Sequence, residues 1–154
     1  MITFLLLLGA MSVYGQGGHN HGHEHSCIHN NHQQRTASQV VASVIDDMEK
    51  DGDGTLSPTE VTDEFVTNYD KDDNGEVSED EFVHQWHHRY HDVRPFAGYL
   101  FHHFDMNDDL KLTDKDVVAM QVFLDADGDG KVSIAEFQAS MMSLYKNCVS
   151  SHGH

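Results

Sequence analysis

Two twelve-residue segments of this chain place oxygen donors at the same alternating positions. One is Asp70-Lys71-Asp72-Asp73-Asn74-Gly75-Glu76-Val77-Ser78-Glu79-Asp80-Glu81, and the other runs from Asp125 to Glu136. Each reads D-x-[DN]-x-[DN]-G-x5-E. A hard cation of calcium's size gathers six to eight oxygens, and a loop supplies them through short carboxylates at positions 1, 3 and 5, a main-chain carbonyl at 7 and a two-oxygen carboxylate at 12. Asp70, Asp72, Asn74 and Glu81 fill the side-chain positions of the first segment, and Asp125, Asp127, Asp129 and Glu136 those of the second. Glu76 and Lys131 stand at position 7, where only the carbonyl counts. Gly75 and Gly130 sit at the bend.

Two departures from this grammar lie nearby. The segment 49–60 offers Glu49, Asp51, Asp53, the carbonyl of Thr55 and Glu60, with Glu in place of Asp at position 1. A longer side chain there must fold back to reach an ion. The segment 105–116 offers Asp105, Asn107, Asp109 and Asp116. Leu110 replaces the bend glycine, and the shorter Asp116 replaces the clamp glutamate. These are expected to be weaker sites, or structural partners that complete a pair.

On these motifs residues 38–146 resemble the EF-hand superfamily. The resemblance implies an all-α, helix–loop–helix domain with two strong and two degenerate calcium loops. It also implies short β contacts between partner loops at position 8, which is Leu56, Val77, Leu112 and Val132, all apolar. The loops begin at 49, 70, 105 and 125, at intervals of 21, 35 and 20 residues. Only the middle interval holds two helices and a turn, so one helix must serve both loops in each outer interval. The 70 and 105 loops should therefore pair face to face. The 49 and 125 loops would pair with each other or stay single, and spacing leaves both open.

Helix expectations follow the apolar pattern. Val40, Val41, Val44, Ile45 and Met48 line a helix at 37–48, and Val61, Phe65, Val66 and Tyr69 the first shared helix. Val117, Val118, Phe123 and Leu124 are assigned to the second. Phe96, Tyr99, Leu100 and Phe104 lead into the third loop, and Phe137, Met141, Leu144 and Tyr145 follow the fourth. Ser57, Ser78 and Ser133, each three residues before a glutamate, read as helix-capping boxes. A helix at 79–92 carries Phe82, Val83, Trp86 and Tyr90 on one face and His84, His87, His88 and His91 on the other. The histidine face reads first as solvated and second as a transition-metal site.

Outside this region the chain divides into short segments. Residues 1–15, with the apolar run Phe4–Leu8, read as a secretory signal cleaved after Gly15, which places the mature chain outside the cell. Residues 16–35 are a histidine-rich tail with too few apolar groups to pack, expected to be disordered and able to chelate Zn2+ or Cu2+. Residues 36–147 form the EF-hand domain and 148–154 a C-terminal tail. Cys27 and Cys148 flank the domain; in an oxidising compartment they either join the two tails or stay unpaired. No stretch is long enough to span a membrane. A formal charge of −17 excludes nucleic acid as a partner.

No nucleophile–base arrangement or phosphate loop suggests an enzyme. The reading is a secreted calcium-binding protein with a structural, buffering or matrix role, resembling the acidic matrix proteins of calcified tissues, where a mineral surface would be a partner. Two alternatives are a calcium sensor with a protein target and a histidine-rich carrier of zinc or copper with structural calcium.

Overall fold

The computed structural model describes residues 29–150, with side chains to Cys148. Six α-helices follow the loop spacing: α1 (Ala37–Met48), α2 (Pro58–Thr62), α3 (Glu79–Tyr90), α4 (Arg94–Phe104), α5 (Asp114–Leu124) and α6 (Ile134–Ser150). The three serine capping boxes form, and Pro58 occupies the first turn of α2, where its missing N–H costs nothing. A further box, Thr36 with Gln39, starts α1. The fold is mostly helical, with one two-stranded antiparallel sheet, β1 (Val77–Ser78) and β2 (Lys111–Leu112).

That sheet joins the 70 and 105 loops, with Val77 opposite Leu112. The 49 and 125 loops also pair, which the sequence left open. Thr55 and Ser133 form a bridge, the Leu56 N–H donates to the Val132 carbonyl at 2.8 Å, and the Ile134 N–H donates to the Gly54 carbonyl at 3.2 Å. The helices pack in the same nested order: α1 on α6, α2 on α5, α3 on α4. Exchanging the halves 37–90 and 94–150, element for element, maps this set of contacts onto itself. In that exchange the 49 loop corresponds to the 105 loop, the 70 loop to the 125 loop, and each loop pair to the other.

One residue breaks the match between halves. Nine residues separate the clamp Glu60 from Asp70, but eight separate Asp116 from Asp125. α5 is regular, whereas α2 continues into a π-helical segment, Asp63–Thr67, in which the Asn68 N–H reaches back to the Asp63 carbonyl. With both ends held by loops, an extra residue is absorbed as a π-bulge rather than as added length. Inside the bulge Glu64 is buried. It pairs with Arg89 and accepts from Tyr90 Oη (3.3 Å) and Asn68 Nδ2 (3.2 Å). Asp47 of α1 accepts from the same Tyr90 hydroxyl at 2.8 Å, so α1, the bulge and α3 share one polar network.

An aromatic cluster stands at the centre of the core. Phe82 of α3 lies within 6.3 Å, ring centre to ring centre, of Phe65, Tyr69, Trp86, Phe101 and Phe104. All six rings are buried. The second shared helix departs from expectation. Val117 and Leu124 are buried, but Val118 and Phe123 are 62% and 68% exposed, with Met120 taking the inner position. α3 also ends early, at Tyr90, because His91 turns left-handed (φ 65°) and closes it.

The expected tail boundary moves as well. Residues 16–28 lie outside the described residues, as do the signal segment 1–15 and 151–154. Residues 29–35, assigned by composition to a disordered tail, are held against the α3–α4 turn. The His32 N–H donates to the His91 carbonyl (2.8 Å) and the Val93 N–H to that of Asn30 (2.9 Å). The anchor is Asp92, fully buried. Its carboxylate accepts from Tyr145 Oη (2.6 Å), Asn31 Nδ2 (2.9 Å) and Trp86 Nε1 (3.0 Å), and His29 Nε2 lies at 3.4 Å. Burial alone would push this carboxyl up, but the four donors outweigh it and hold it below the usual carboxylate range. At the other end, Cys148, assigned to a C-terminal tail, is buried within α6 and disulfide-bonded, while Cys27 lies outside the described residues.

Removing Asp92 strands buried donors on three elements. Asp92→Ala should cost about 3 kcal/mol or more of stability at neutral pH in denaturant melts. Because the folded value lies below that of a free aspartate, its contribution is complete above about pH 4 and is lost as pH falls through the folded value. The gap between wild type and variant should therefore narrow at acid pH. Equal stability at pH 7 would contradict the anchoring role.

Candidate metal centre

Each loop closes in the same way, through the residue at position 12. One oxygen of that carboxylate accepts the N–H of its capping residue: Ser57 onto Glu60 (2.9 Å), Ser78 onto Glu81 (2.8 Å), Thr113 onto Asp116 (2.9 Å) and Ser133 onto Glu136 (2.8 Å). The other oxygen accepts the N–H at position 2: Lys50 (2.9 Å), Lys71 (3.0 Å), Met106 (2.9 Å) and Ala126 (3.0 Å). The clamp thus ties the start of the loop to the start of its exit helix, where a negative charge is favoured by the helix dipole. Asp116 achieves this with one methylene less because its loop is drawn inward. Asp116 is fully buried and Asp105 nearly so.

Position 1 organises the bend. Asp70, Asp105 and Asp125 each accept the N–H at position 6, from Gly75 (2.7 Å), Leu110 (2.8 Å) and Gly130 (2.8 Å). They also accept the N–H at position 5, from Asn74, Asp109 and Asp129. Glu49 folds back to accept from Gly52 and from Asp53 (3.2 Å). It therefore holds positions 4 and 5, as Asp125 holds Gly128 and Asp129.

The backbone carries strain where the motif is broken. Gly54, Gly75 and Gly130 take φ of 79°, 82° and 84° at position 6, and Leu110 is forced to 65°. A non-glycine residue there costs on the order of 1–2 kcal/mol. The sequence reading missed a second left-handed position, position 4, where Asp73 and Asp108 stand beside Gly52 and Gly128. The residue types were the available signal, since Asp tolerates this conformation better than most.

The acidic side chains converge into four clusters, each with ligand oxygens within 4.8 Å of one another: Glu49, Asp51 and Asp53; Asp70, Asp72 and Glu81; Asp105, Asp109 and Asp116; and Asp125, Asp127 and Glu136. Ligands on opposite sides of a calcium ion, each at 2.3–2.6 Å, lie about that far apart, so the donor set fits this cation. Asn74, Asn107 and Asp129 sit in the same turns, their side-chain oxygens accepting from Glu76 (2.8 Å), Asp109 (3.2 Å) and Lys131 (2.8 Å). Thr55 donates to Asp53. When bound, calcium supplies positive charge to these carboxylates.

The protein alone leaves charge unbalanced. Partial desolvation works against ionising Asp70, but N–H groups led by those of Gly75 and Asn74 hold it below the usual range. Its neighbour Asp72 is pushed above that range by desolvation, its contact with Asp70 and the charge of Glu81. Asp125 and Asp127 split the same way, low and high. Burial raises Asp105 as well. Cation charge within the loop reaches across pairs too. Lys111 bridges to Glu76 at 2.6 Å between the position-7 residues of one pair; in the other, Asp53 is held low chiefly by the N–H and hydroxyl of Thr55, with a small contribution from Lys131 across the pair.

Among the described residues, the histidines of the α3 face do not gather at one point. His84 stacks on His88 at 6.4 Å, His87 Nδ1 faces the Asp92 carbonyl at 2.7 Å, and His91 closes the helix. Among the described residues no cluster of three ligand groups contains a histidine.

Glu81→Gln and Glu136→Gln each keep the capping geometry while removing the charge that closes a loop. Each should eliminate one strong site in a calorimetric calcium titration, and the double variant both. An unchanged isotherm in the double variant would contradict the assignment.

The EF hand family model matches residues 123–142, which span the end of α5, the 125 loop and the first half of α6. No curated protein matches the chain. The match supports an EF hand at residues 123–142, and with it calcium binding by the 125 loop.

Proposed function

We propose that this protein is a secreted calcium-binding protein that fills all four loops and serves a structural, buffering or matrix role outside the cell. The observation that carries the reading is the recurrence of one closure four times: each position-12 carboxylate ties its loop to an exit helix, beside an acidic cluster of calcium's dimensions that in three of the four loops includes that carboxylate. A disulfide at Cys148 and the apolar run Phe4–Leu8 support an oxidising, exported setting. The charge of −17 supports a calcium-rich fluid or mineral surface as the working environment. Zn2+ or Cu2+ at the histidine tail belongs to residues 16–28, outside the described region, and to His29 and His32, which are engaged by Asp92 and packed on His87.

An exported module works against millimolar calcium, so at least one site is expected with Kd of about 10⁻⁴–10⁻³ M. Binding to the native state alone adds about 1.4 kcal/mol per site at tenfold excess over Kd. Melting the chain in chelator and in millimolar calcium should show a large upward shift. An unchanged midpoint would contradict calcium binding, and submicromolar affinity at every site would contradict the extracellular assignment.

A further inference from the structure

We propose that His32 and His87 form a site for a borderline divalent cation, Zn2+ foremost, which pins the segment 29–35 to α3. The two imidazoles come from these separate parts of the chain. Their ring centres lie 5.2 Å apart, with the planes at 87°. Two imidazoles that share a tetrahedral zinc, each nitrogen about 2.0–2.1 Å from the ion, hold their ring centres about 5 Å apart. The same spacing suits an ordinary edge-to-face contact. The partner of the second ring nitrogen distinguishes the two.

His87 Nδ1 lies 2.7 Å from the Asp92 carbonyl oxygen. A carbonyl only accepts, so Nδ1 carries the proton, and in the neutral ring Nε2 keeps its lone pair. Metal-ligating histidines are held in this way, one nitrogen bonded to a carbonyl and the other left for the ion. His32 is fixed through its backbone. Its N–H donates to the His91 carbonyl at 2.8 Å, and beside it Asn31 bridges to Asp92. One turn, residues 91–93, therefore positions both ligands before any ion arrives. His32 is exposed and His87 half-buried, so an ion can reach the pair and water can complete its shell.

The rival pair is His84 with His88, one turn apart on α3. Their rings are nearly parallel and 6.4 Å apart, wider than a tetrahedral pair. Donor type selects the occupant: imidazole nitrogen takes zinc or copper, while calcium goes to carboxylate oxygen. Position gives the site a consequence. His32 stands four residues before Thr36, the cap of α1. α1 leads into the 49 loop, and α3 follows the 70 loop. An ion on His32 and His87 ties the start of one to the side of the other. The pair lies outside the four carboxylate clusters, and its failure would leave the calcium reading untouched.

The test is a calorimetric Zn2+ titration of the full chain in millimolar calcium, which keeps the loops occupied. The parent carries His→Gln substitutions at His19, His21, His23, His25, His152 and His154, so that the histidines outside the described residues do not compete. It should bind one zinc ion. Loss of an outer partner of a metal ligand already weakens a site about 10–100-fold, so His32→Gln and His87→Gln should each cost about tenfold or more. His32→Gln changes an exposed side chain and serves if His87→Gln loosens the turn. His84→Gln/His88→Gln should bind as the parent does. Zinc should also slow amide exchange at His32 in the parent and not in His87→Gln. No zinc binding by the parent, equal binding by His32→Gln, loss of binding in His84→Gln/His88→Gln, or binding that leaves the His32 amide unprotected would each overturn the proposal.

Discussion

Each shared helix of this fold is held at both ends by a loop, and that constraint shapes the rest. The helix after the 49 loop is also the helix before the 70 loop, and α5 stands likewise between the 105 and 125 loops. A helix held this way cannot fold back to let its own two loops meet. Each loop must find its partner in the other half. The result is the crossed pairing seen here, 70 with 105 and 49 with 125. Each pair then joins one loop of full motif to one degenerate loop. The Leu110 bend sits beside the intact 70 loop, and the Glu49 loop beside the intact 125 loop.

The same constraint explains the π-bulge. A free helix would accept a ninth residue by extending and rotating its end. Here the ends are fixed, so the surplus appears as one wide turn, with Glu64 inside it and Arg89 paired to it. An irregularity in the helix thus follows from the difference between two loop intervals.

Much of this was legible in the sequence because chemistry at the loops is local. Carboxylate spacing, the bend glycines and the serine capping boxes act within twelve residues, and they located the loops, the helix starts and the 70–105 pair. What was not legible depends on distant partners. Composition marks residues 29–35 as tail, yet Asn31 and His29 reach a buried Asp92 sixty residues away in the chain. Periodicity assigned Val118 and Phe123 to the core, because an apolar residue on a short helix does not reveal which side its neighbours occupy. The partner of the 49 loop was undetermined since the bridge Thr55–Ser133 joins residues far apart in sequence.

The central claim is the crossed pairing, and amide hydrogen exchange at Leu56 tests it most directly. That N–H donates to Val132 across the bridge between the 49 and 125 loops. In calcium it should be protected, and Glu136→Gln, which disables the 125 loop, should strip the protection while Glu81→Gln leaves it in place. The reverse pattern, loss with Glu81→Gln and retention with Glu136→Gln, would mean that the 49 loop pairs with its sequence neighbour and would contradict the account.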